Sequence, residues 1–597
     1  DKKLLNLLGK LWIHLSRRRR AQLGAAVLLM LLSSLAEVVS LAAVIPFLAV
    51  LTNPEALWKR PLVQTCGSFL GISDAQGLLL PITLCFAASA IAAGAIRLLT
   101  LWFNGRLAAA IGSDLSCEAY RRTLYQPYSA HVTLNSSSLI ASISGDVNIV
   151  IGQVLNPLLK LFGSALITVS LVVTLFAINF VLALVTGLLI ALVYVAAMYI
   201  SSRPLKQLSH NQVLLNRQLF QALQEGFGAI RDVLLDSSQS FYASTYRQAD
   251  QPLRRGQAKG GFLSSYPRLV MEPAGMALLA FVGYWLVVQG GVAKALPLIG
   301  LLAMGAQRLL PMTQKVYEGW AQTRNAKQSL VNVLALVAQP LPSDFMLPPP
   351  EPLSFGQSIV LQSINFRYGA ELPDVIHDLD LEIRRGERIG LIGSTGSGKS
   401  TLLDLVMGLL QPTQGRILVD MEDLHLNGRI PSWRAAIAHV PQSIYLADSS
   451  VAENIAFGIP RAQIDLERVR QAADQAQIAS FIESTTNGYD TFVGERGIRL
   501  SGGQRQRIGI ARALYKCAEV LVLDEATAAL DNATEQAVMD AVDILSRDLT
   551  IIMIAHRLST VQRCDRVIRL EHGKIISDLP PSESLDNKSL FTKGHPS

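Results

Sequence analysis

The sequence predicts a membrane α-helical domain of six transmembrane helices with cytosolic extensions, followed by an α/β domain of the P-loop kind. Three observations carry this reading. Half of the 597 residues are hydrophobic and only 17% are charged, against about 25% charged in soluble domains, and the mean hydropathy is +0.33. The apolar residues crowd the stretch that ends near Leu310, and the remainder of the chain has ordinary soluble composition. In that second stretch stands "GSTGSGKS", Gly393 to Ser400, between an apolar run and a helix-like one.

A span needs about 20 apolar residues. The candidates run from Ala21 to Leu51, from Leu78 to Phe103, across the block Pro157 to Ile200, from Met271 to Gln289, and from Val292 to Pro311. The block is too long for one helix, and Asn179–Phe180 is the expected turn, which makes six. Arg17 to Arg20 place the N-terminus in the cytosol, and an even number of spans returns the C-terminal domain there. Spans 2–3 and 4–5 are joined by long segments rich in basic residues, such as Arg121, Arg122, Arg203, Lys206, Arg254 and Arg255. "LLNRQLFQALQEGFGAIRDVLL", Leu214 to Leu235, spaces its apolar residues as a helix does. Helical extensions beyond the bilayer are therefore expected, with bends near Gln126–Pro127 and Phe220–Gln224 touching the C-terminal domain. The loop 52–77 mixes Leu57, Trp58, Leu62, Phe69 and Leu70 with Lys59 and Arg60. It reads either as a short amphipathic helix at the outer interface or as a structured loop.

Several classes are excluded. The net charge of +7 is small for this length. It suits basic cytosolic loops and gives no reason to expect a nucleic-acid partner. The five cysteines (Cys66, Cys85, Cys117, Cys517, Cys564) show neither a CxxC pair nor metal spacing. No cleavable signal peptide is expected, because the run after "SRRRR" is too long for one.

Residues 1–337 form the predicted membrane domain. A linker over 338–357 is marked by Pro340, Pro342, Pro348, Pro349, Pro350 and Pro352. The α/β domain occupies 358–597 and opens on the alternating strand pattern "SIVLQSINFRYG". Its G-x-x-x-x-G-K-S element is a phosphate-binding loop, Gly393, Ser394, Thr395, Gly396, Ser397, Gly398, Lys399 and Ser400, leading into Thr401. Glycines let backbone N–H groups curl around phosphate oxygens, and a helix N-terminus favours negative charge. Lys399 is expected to reach the β- and γ-phosphates of ATP, and Ser400 to hold Mg²⁺. "EVLVLDEATAALD" carries a buried-strand run, Val520 to Leu523, ending in two carboxylates. Asp524 suits the Mg²⁺ shell, and Glu525 is placed to polarise a water for attack on the γ-phosphate.

Between these two elements lies "LSGGQRQRIGIARAL". Leu500, Ser501, Gly502, Gly503 and Gln504 resemble the signature of ATP-binding-cassette (ABC) proteins. Tyr368 stands where that family's adenine-stacking aromatic lies, and Gln442 in "HVPQS" where its Q-loop glutamine lies, near metal and attacking water. "FVGERG" resembles the segment before the signature in exporters. Ala529, Leu530 and Asp531 match the D-loop, and His556 in "IIMIAHRLS" the switch histidine that senses the γ-phosphate. Ala528 departs from the commoner serine. The resemblance implies that two such domains pair head to tail, the P-loop of one facing Ser501 to Gln504 of the other. With one such domain and six spans, the chain reads as half of a homodimeric, ATP-hydrolysing exporter. ABC ATPases that act on DNA or ribosomes lack the membrane half. A gated channel on this architecture usually has degenerate ATP sites, and single-channel recordings would separate the two.

Cargo is read from the spans. At 1.5 Å per residue, Arg97 lies roughly 28 Å below the outer start of span 2 and Arg308 roughly 24 Å below that of span 6. Arg268 and Lys315 sit at the inner ends of spans 5 and 6. Three readings stand: snorkelling toward the inner interface, structural ion pairs with Glu37 and Glu272, or an electropositive cavity for an anionic headgroup. "AEVVSLAAVIPF", "YPRLVMEPAG" and "AQRLLPMTQKVYEGW" resemble bacterial flippases for lipid-linked oligosaccharides. That likeness implies an amphipathic, anionic pyrophosphate-linked substrate crossing the bacterial inner membrane, with both termini and the ATPase domain cytoplasmic. The alternative is a multidrug or peptide exporter.

Overall fold

The computed structural model describes residues 2–52, 54–58, 63, 74–133, 135–178, 180–290, 292–342, 350–525, 531, 533, 535–537, 539–540, 549–555 and 561–581. The chain folds as two compact units: Asp1–Gln126 with Thr133–Pro342, and Pro127–Val132 with Ser343–Ser597.

The first unit is all helix. An amphipathic helix α1 (Lys2–His14) precedes α2 (Arg17–Ala42), whose start is fixed by Ser16, which accepts the Arg19 N–H. The span expected from Ala21 thus begins earlier, and α1 is an element that apolar run length does not reveal. Its signal lies in Leu4, Leu7, Leu8 and Leu11 set among Lys2, Lys3 and Lys10. Beyond α2 come α3 (Val44–Thr52) and α4 (Leu79–Leu124). Among the described residues, Arg17–Leu51, Gln76–Leu124 and Ser136–Ala177 are long and apolar enough to cross a membrane. α5 (Asn156–Ile178) and α6 (Phe180–Gly228) flank the expected turn at Asn179, which lies outside the described residues. α7 (Ile230–Leu235), α8 (Gln239–Gly290), α9 (Val292–Asn325) and α10 (Lys327–Val337) complete the unit.

α4, α6 and α8 contain 46, 49 and 52 residues. At 1.5 Å per residue each is roughly 70–80 Å long, more than twice a hydrocarbon core of about 30 Å. The helical extensions expected beyond the apolar segments are thus continuous with them. The bend expected near Phe220–Gln224 is absent. α6 runs unbroken to Gly228, and the chain turns instead over 229–238, where Ser237 takes a positive φ of 51°. Gln224 is held inside the helix by bonding to Ser136 and Ser137 across the unit. α9 packs closely on α5 because Gly319 has no side chain: a Cβ there would meet the Leu161 Cβ and the Pro157 carbonyl at 2.8 Å.

The loop read as a possible interfacial helix is described only at Pro54–Trp58, which form a turn of helix, at Val63, and from Asp74. Leu62, Phe69, Leu70, Lys59 and Arg60 lie outside the described residues.

The second unit stacks two sheets. An antiparallel sheet has the order β2-β1-β4-β5, from β1 (Ser358–Phe366), β2 (Ile376–Arg384), β4 (Gln414–Val419) and β5 (Glu422–Asp423). A six-stranded sheet has the order β10-β9-β3-β8-β7-β6, from β3 (Arg388–Ile392), β6 (Ile437–Val440), β7 (Val520–Asp524), β8 (Thr550–Ile554), β9 (Arg566–Glu571) and β10 (Lys574–Leu579). Strands β3, β6, β7, β8 and β9 run parallel. In β7, Val520 and Val522 enter the core shared with the antiparallel sheet, while Leu521 and Leu523 enter the opposite core. A strand apolar on both faces is what the run VLVL implies. Residues 353–357, read as linker, join this unit. Leu353 donates its N–H to the Ser432 carbonyl at 2.9 Å, and buried Phe355 meets Trp433 edge-on at 5.9 Å.

Candidate functional site

In the second unit the P-loop connects β3 to α11 (Lys399–Val406), so strand, loop and helix follow in the order the motif requires. Gly393, Gly396 and Gly398 hold φ of 154°, 82° and 102°, backbone that L side chains rarely adopt. A Cβ on Gly393 would lie 2.2 Å from the Leu570 carbonyl oxygen and 2.7 Å from Ser397 Oγ. The glycines are thus required by geometry, and they shape a concave run of backbone leading into the helix N-terminus. Lys399 Nζ donates to the carbonyls of Gly393 and Ser394 at 2.8 and 2.9 Å. Burial draws its ammonium below the usual lysine range, against the opposing pull of Glu525 and Asp524. Those two carboxylates therefore lie within electrostatic reach of the lysine, although more than 120 residues separate them in sequence.

Asp524 ends β7, and Glu525 follows with a positive φ of 49°. The backbone leaves the strand sharply there. Buried Gln506 braces the turn by donating to the Glu525 carbonyl at 3.3 Å. Gln442 Nε2 donates to Glu525 Oε2 at 2.7 Å, so the Q-loop and the expected catalytic carboxylate are in direct contact. Tyr368 packs edge-on against Phe366 and exchanges a hydrogen bond with Thr401 at 3.1 Å, which sets an aromatic beside the P-loop helix.

Ser501 is the N-cap of α12 (Gly502–Tyr515). It forms a capping box with Gln504: the Ser501 N–H reaches Gln504 Oε1 at 2.8 Å, and the Gln504 N–H reaches Ser501 Oγ at 3.2 Å. Ser501 and Gly502 are exposed, so this helix start faces outward. Gly503 follows inside the first turn. Asp531 is described and partnered, whereas Ala529, Leu530 and His556 lie outside the described residues.

The residues fit Mg²⁺-ATP. A nucleotide supplies phosphate oxygens for donors along the loop. Ser397 Oγ is buried without a partner among the described residues, and Ser400 opens the helix beside Lys399. Hard oxygen ligands of the Ser/Asp type suit Mg²⁺, so Ser400 and Asp524 would hold the ion, which would supply positive charge against the phosphates.

Two residues that no sequence motif singles out also lie here. The Asp404 carboxyl is pushed up to about 6 by burial and by the charge of Asp524. Tyr128, from the short segment Pro127–Val132 that belongs to this unit, has its phenol raised by burial and by Asp404 and Tyr368.

In the first unit the cations singled out in the sequence are not equivalent. Glu37 of α2 is buried and serves two arginines. Its Oε1 accepts from Arg97 of α4 at 3.0 Å, and its Oε2 accepts from Arg308 of α9 at 2.9 Å. Arg308 also donates to Ser40 Oγ at 3.1 Å. The Arg97 side chain remains 51% exposed and that of Arg308 26%. Arg268 and Glu272 form a looser pair, 3.9 Å apart within one helix. Lys315 lies within electrostatic reach of Arg97, Lys160, Glu318 and Glu37. Lys160 carries the same sequence signal as Arg97, a lone charge in an apolar run, and joins the cations read from the sequence.

The comparisons agree with this architecture. The ABC transporter transmembrane region matches residues 23–303, and the ABC transporter family matches 376–528. The chain is 30% identical over 491 residues to an ATP-dependent lipid A-core flippase of Chromohalobacter salexigens, covering 81% of this chain and 82% of that one. It is 30% identical over 502 residues to the protein of that name from Ralstonia nicotianae, covering 81% of each. A leukotoxin translocation ATP-binding protein, LktB, of a Pasteurella haemolytica-like species is 36% identical over 53% of this chain and 43% of its own. A bacterial Atm1-family ABC exporter solved with ATP bound superposes with a TM-score of 0.77, covering 96% of this chain and 97% of that one at 24% identity, which speaks to the fold. A helical membrane unit followed by an ATPase unit of this build, matched over four-fifths of its length by exporters, identifies the chain as a multi-pass half-transporter that couples ATP hydrolysis to export and belongs to the ABC transporter family.

Proposed function

We propose that the protein works as a homodimer in a bacterial inner membrane, termini and ATPase domains cytoplasmic, and flips an amphipathic lipid with an anionic, phosphorylated headgroup. A lipid-linked pyrophosphate oligosaccharide or a glycolipid has that chemistry. The observation that carries the reading is the cation group of the membrane unit. Arg97, Arg308, Lys315 and Lys160 outnumber the two carboxylates near them, Glu37 and Glu318, and the two arginines share Glu37 alone. Ionisable groups within spans are costly and mark substrate pathways. The relatives named lipid A-core flippases handle a lipid.

Each ATP site would be shared. Lys399 binds the phosphates, Ser400 and Asp524 hold Mg²⁺ with Gln442, Tyr368 stacks on adenine, and Glu525 orients the attacking water. His556 reads the γ-phosphate, and Asp531 lies at the dimer seam. The exposed N-terminus of α12, with Ser501 to Gln504, meets the γ-phosphate of the nucleotide on the second copy. Closure of the pair drives the long helices, and hydrolysis resets them.

A multidrug or peptide exporter is the second reading, favoured by the match to LktB, which covers about half of this chain. ATPase stimulation on reconstituted protein, with a panel of phosphorylated lipids, neutral drugs and peptides, separates the two. Stimulation by drugs or peptides and by no phosphorylated lipid would end the lipid reading.

A further inference from the structure

We propose that Glu37 is a built-in counter-ion that the anionic headgroup displaces from Arg97 and Arg308, so that this carboxylate sets the affinity of the transporter for its cargo. The inference rests on the lipid reading above and goes beyond it in assigning a role to an acidic residue.

The geometry is that of a stand-in. Each Glu37 oxygen is given to a different guanidinium, at 3.0 and 2.9 Å. Carboxylate and phosphate are the two anions that the planar guanidinium fork recognises in the same way. One carboxylate against two arginines leaves a positive charge unbalanced, and a diphosphate matches the pair better. The arginines are the approachable members, 51% and 26% exposed, while the Glu37 side chain is 6% exposed. A headgroup can therefore reach the cations from their open side without first moving the carboxylate. Exchange of one anion for another also avoids the large cost of leaving a buried charge without a partner. The displaced carboxylate keeps Lys315, which also lies near Glu318, within its electrostatic reach.

The triad further ties α2, α4 and α9, and Arg308 adds Ser40. Exchange of anions at this point would loosen one tie between spans as cargo binds. The carboxylate thus competes with cargo and keeps the arginines matched between transport cycles.

The test uses full-length protein in phosphatidylcholine vesicles at fixed free Mg²⁺. ATPase stimulation is titrated with geranylgeranyl diphosphate, with uncharged geranylgeraniol, and with inorganic pyrophosphate. The diphosphate lipid is expected to stimulate the wild type and the alcohol is not. In Glu37→Gln the half-maximal diphosphate concentration is expected to fall by about tenfold, the range of one ion pair. In Glu37→Asp, too short to hold both arginines, it falls by about threefold, which keeps the test open if the glutamine variant does not fold. Stimulation by pyrophosphate with the same dependence on residue 37 supports displacement and assigns it to the free anion instead of a lipid headgroup. A half-maximal concentration that rises or stays fixed in both variants, with the wild type stimulated, overturns the role of Glu37 alone. A wild type indifferent to the diphosphate lipid overturns both this inference and the lipid reading.

Discussion

Gln442 Nε2 donates to Glu525 Oε2 at 2.7 Å. The glutamine fixes the carboxylate from one side while Gln506 holds the Glu525 carbonyl from the other. Glu525 sits at φ 49°, a conformation that costs of order 1 kcal/mol for a residue with a side chain. Its orientation is thus imposed by its neighbours.

The first prediction concerns this pair. Glu525→Gln removes the anion proposed to polarise water and leaves the P-loop untouched. ATP hydrolysis should fall by roughly 10²-fold or more, the range of general-base removal, with nucleotide affinity within a few-fold of wild type. Gln442→Ala should lower hydrolysis less, by about tenfold, because it frees an orientation and leaves the carboxylate in place. Phosphate release and fluorescent-nucleotide binding measure the two effects. Equal losses in both variants would show that Gln442 does more than position.

The second prediction concerns the ion triad. Arg308 is the more buried arginine and makes the additional bond to Ser40, so Arg308→Ala leaves Glu37 poorly matched. A loss of about 3 kcal/mol is expected, as for a broken buried pair. Arg97→Ala should cost about 1 kcal/mol, because its side chain is half-exposed and Arg308 remains to serve the carboxylate. Melting temperatures of purified protein give the ranking. Adding Glu37→Gln to Arg308→Ala should recover most of the loss, since the stranded charge is removed. No recovery would mean that the loss arises from packing.

Legibility in the sequence divides along the same line. The P-loop, the Asp524–Glu525 pair and the signature Leu500 to Gln504 are readable because each is a local motif whose residues lie within a few positions of one another. The strand character of Val520 to Leu523 comes from composition. The Glu37–Arg97 bond joins residues 60 positions apart. Sequence supplies their depth in the bilayer, but which face of each helix turns toward its neighbour depends on packing. Ion pairing with Glu37 is one of three readings open to the sequence, and the packing of α2 against α4 places it. The bend expected at Phe220–Gln224 fails for a related reason. Gly226 and Gly228 are accommodated within the helix, and the turn falls after them, where Ser237 adopts a positive φ.

The third prediction is a pH dependence. Burial and the charge of Asp524 push the Asp404 carboxyl up to about 6, from an ordinary value of 3.8. Between those values the native state keeps a proton that the unfolded state has lost. This group's contribution to stability is therefore full at low pH and is lost as pH rises toward 6. Asp404→Asn removes the penalty. Its advantage in melting temperature over wild type should grow between about pH 4 and 6 and level off above. An advantage independent of pH would show that Asp404 is ionised in the folded protein throughout that range.

The last prediction concerns shared sites. Lys399 lies in the P-loop and Ser501 opens an exposed helix whose own bonds close back on Gln504. If each nucleotide is held by Lys399 of one copy and Ser501 of the other, the two lesions must complement. A dimer assembled from one Lys399→Ala chain and one Ser501→Arg chain carries both lesions in one site and leaves the other intact. Each homodimer has two damaged sites. Co-expression of differently tagged chains, followed by tandem purification, isolates the mixed dimer. Its ATPase activity should exceed either homodimer by about tenfold or more, given the loss expected when a phosphate-site donor is removed. A mixed dimer as inactive as both homodimers has two explanations. Either each site lies within one chain, or hydrolysis requires both sites at once. Vanadate trapping of a single nucleotide per mixed dimer distinguishes them, because only a shared site leaves one pocket complete enough to trap.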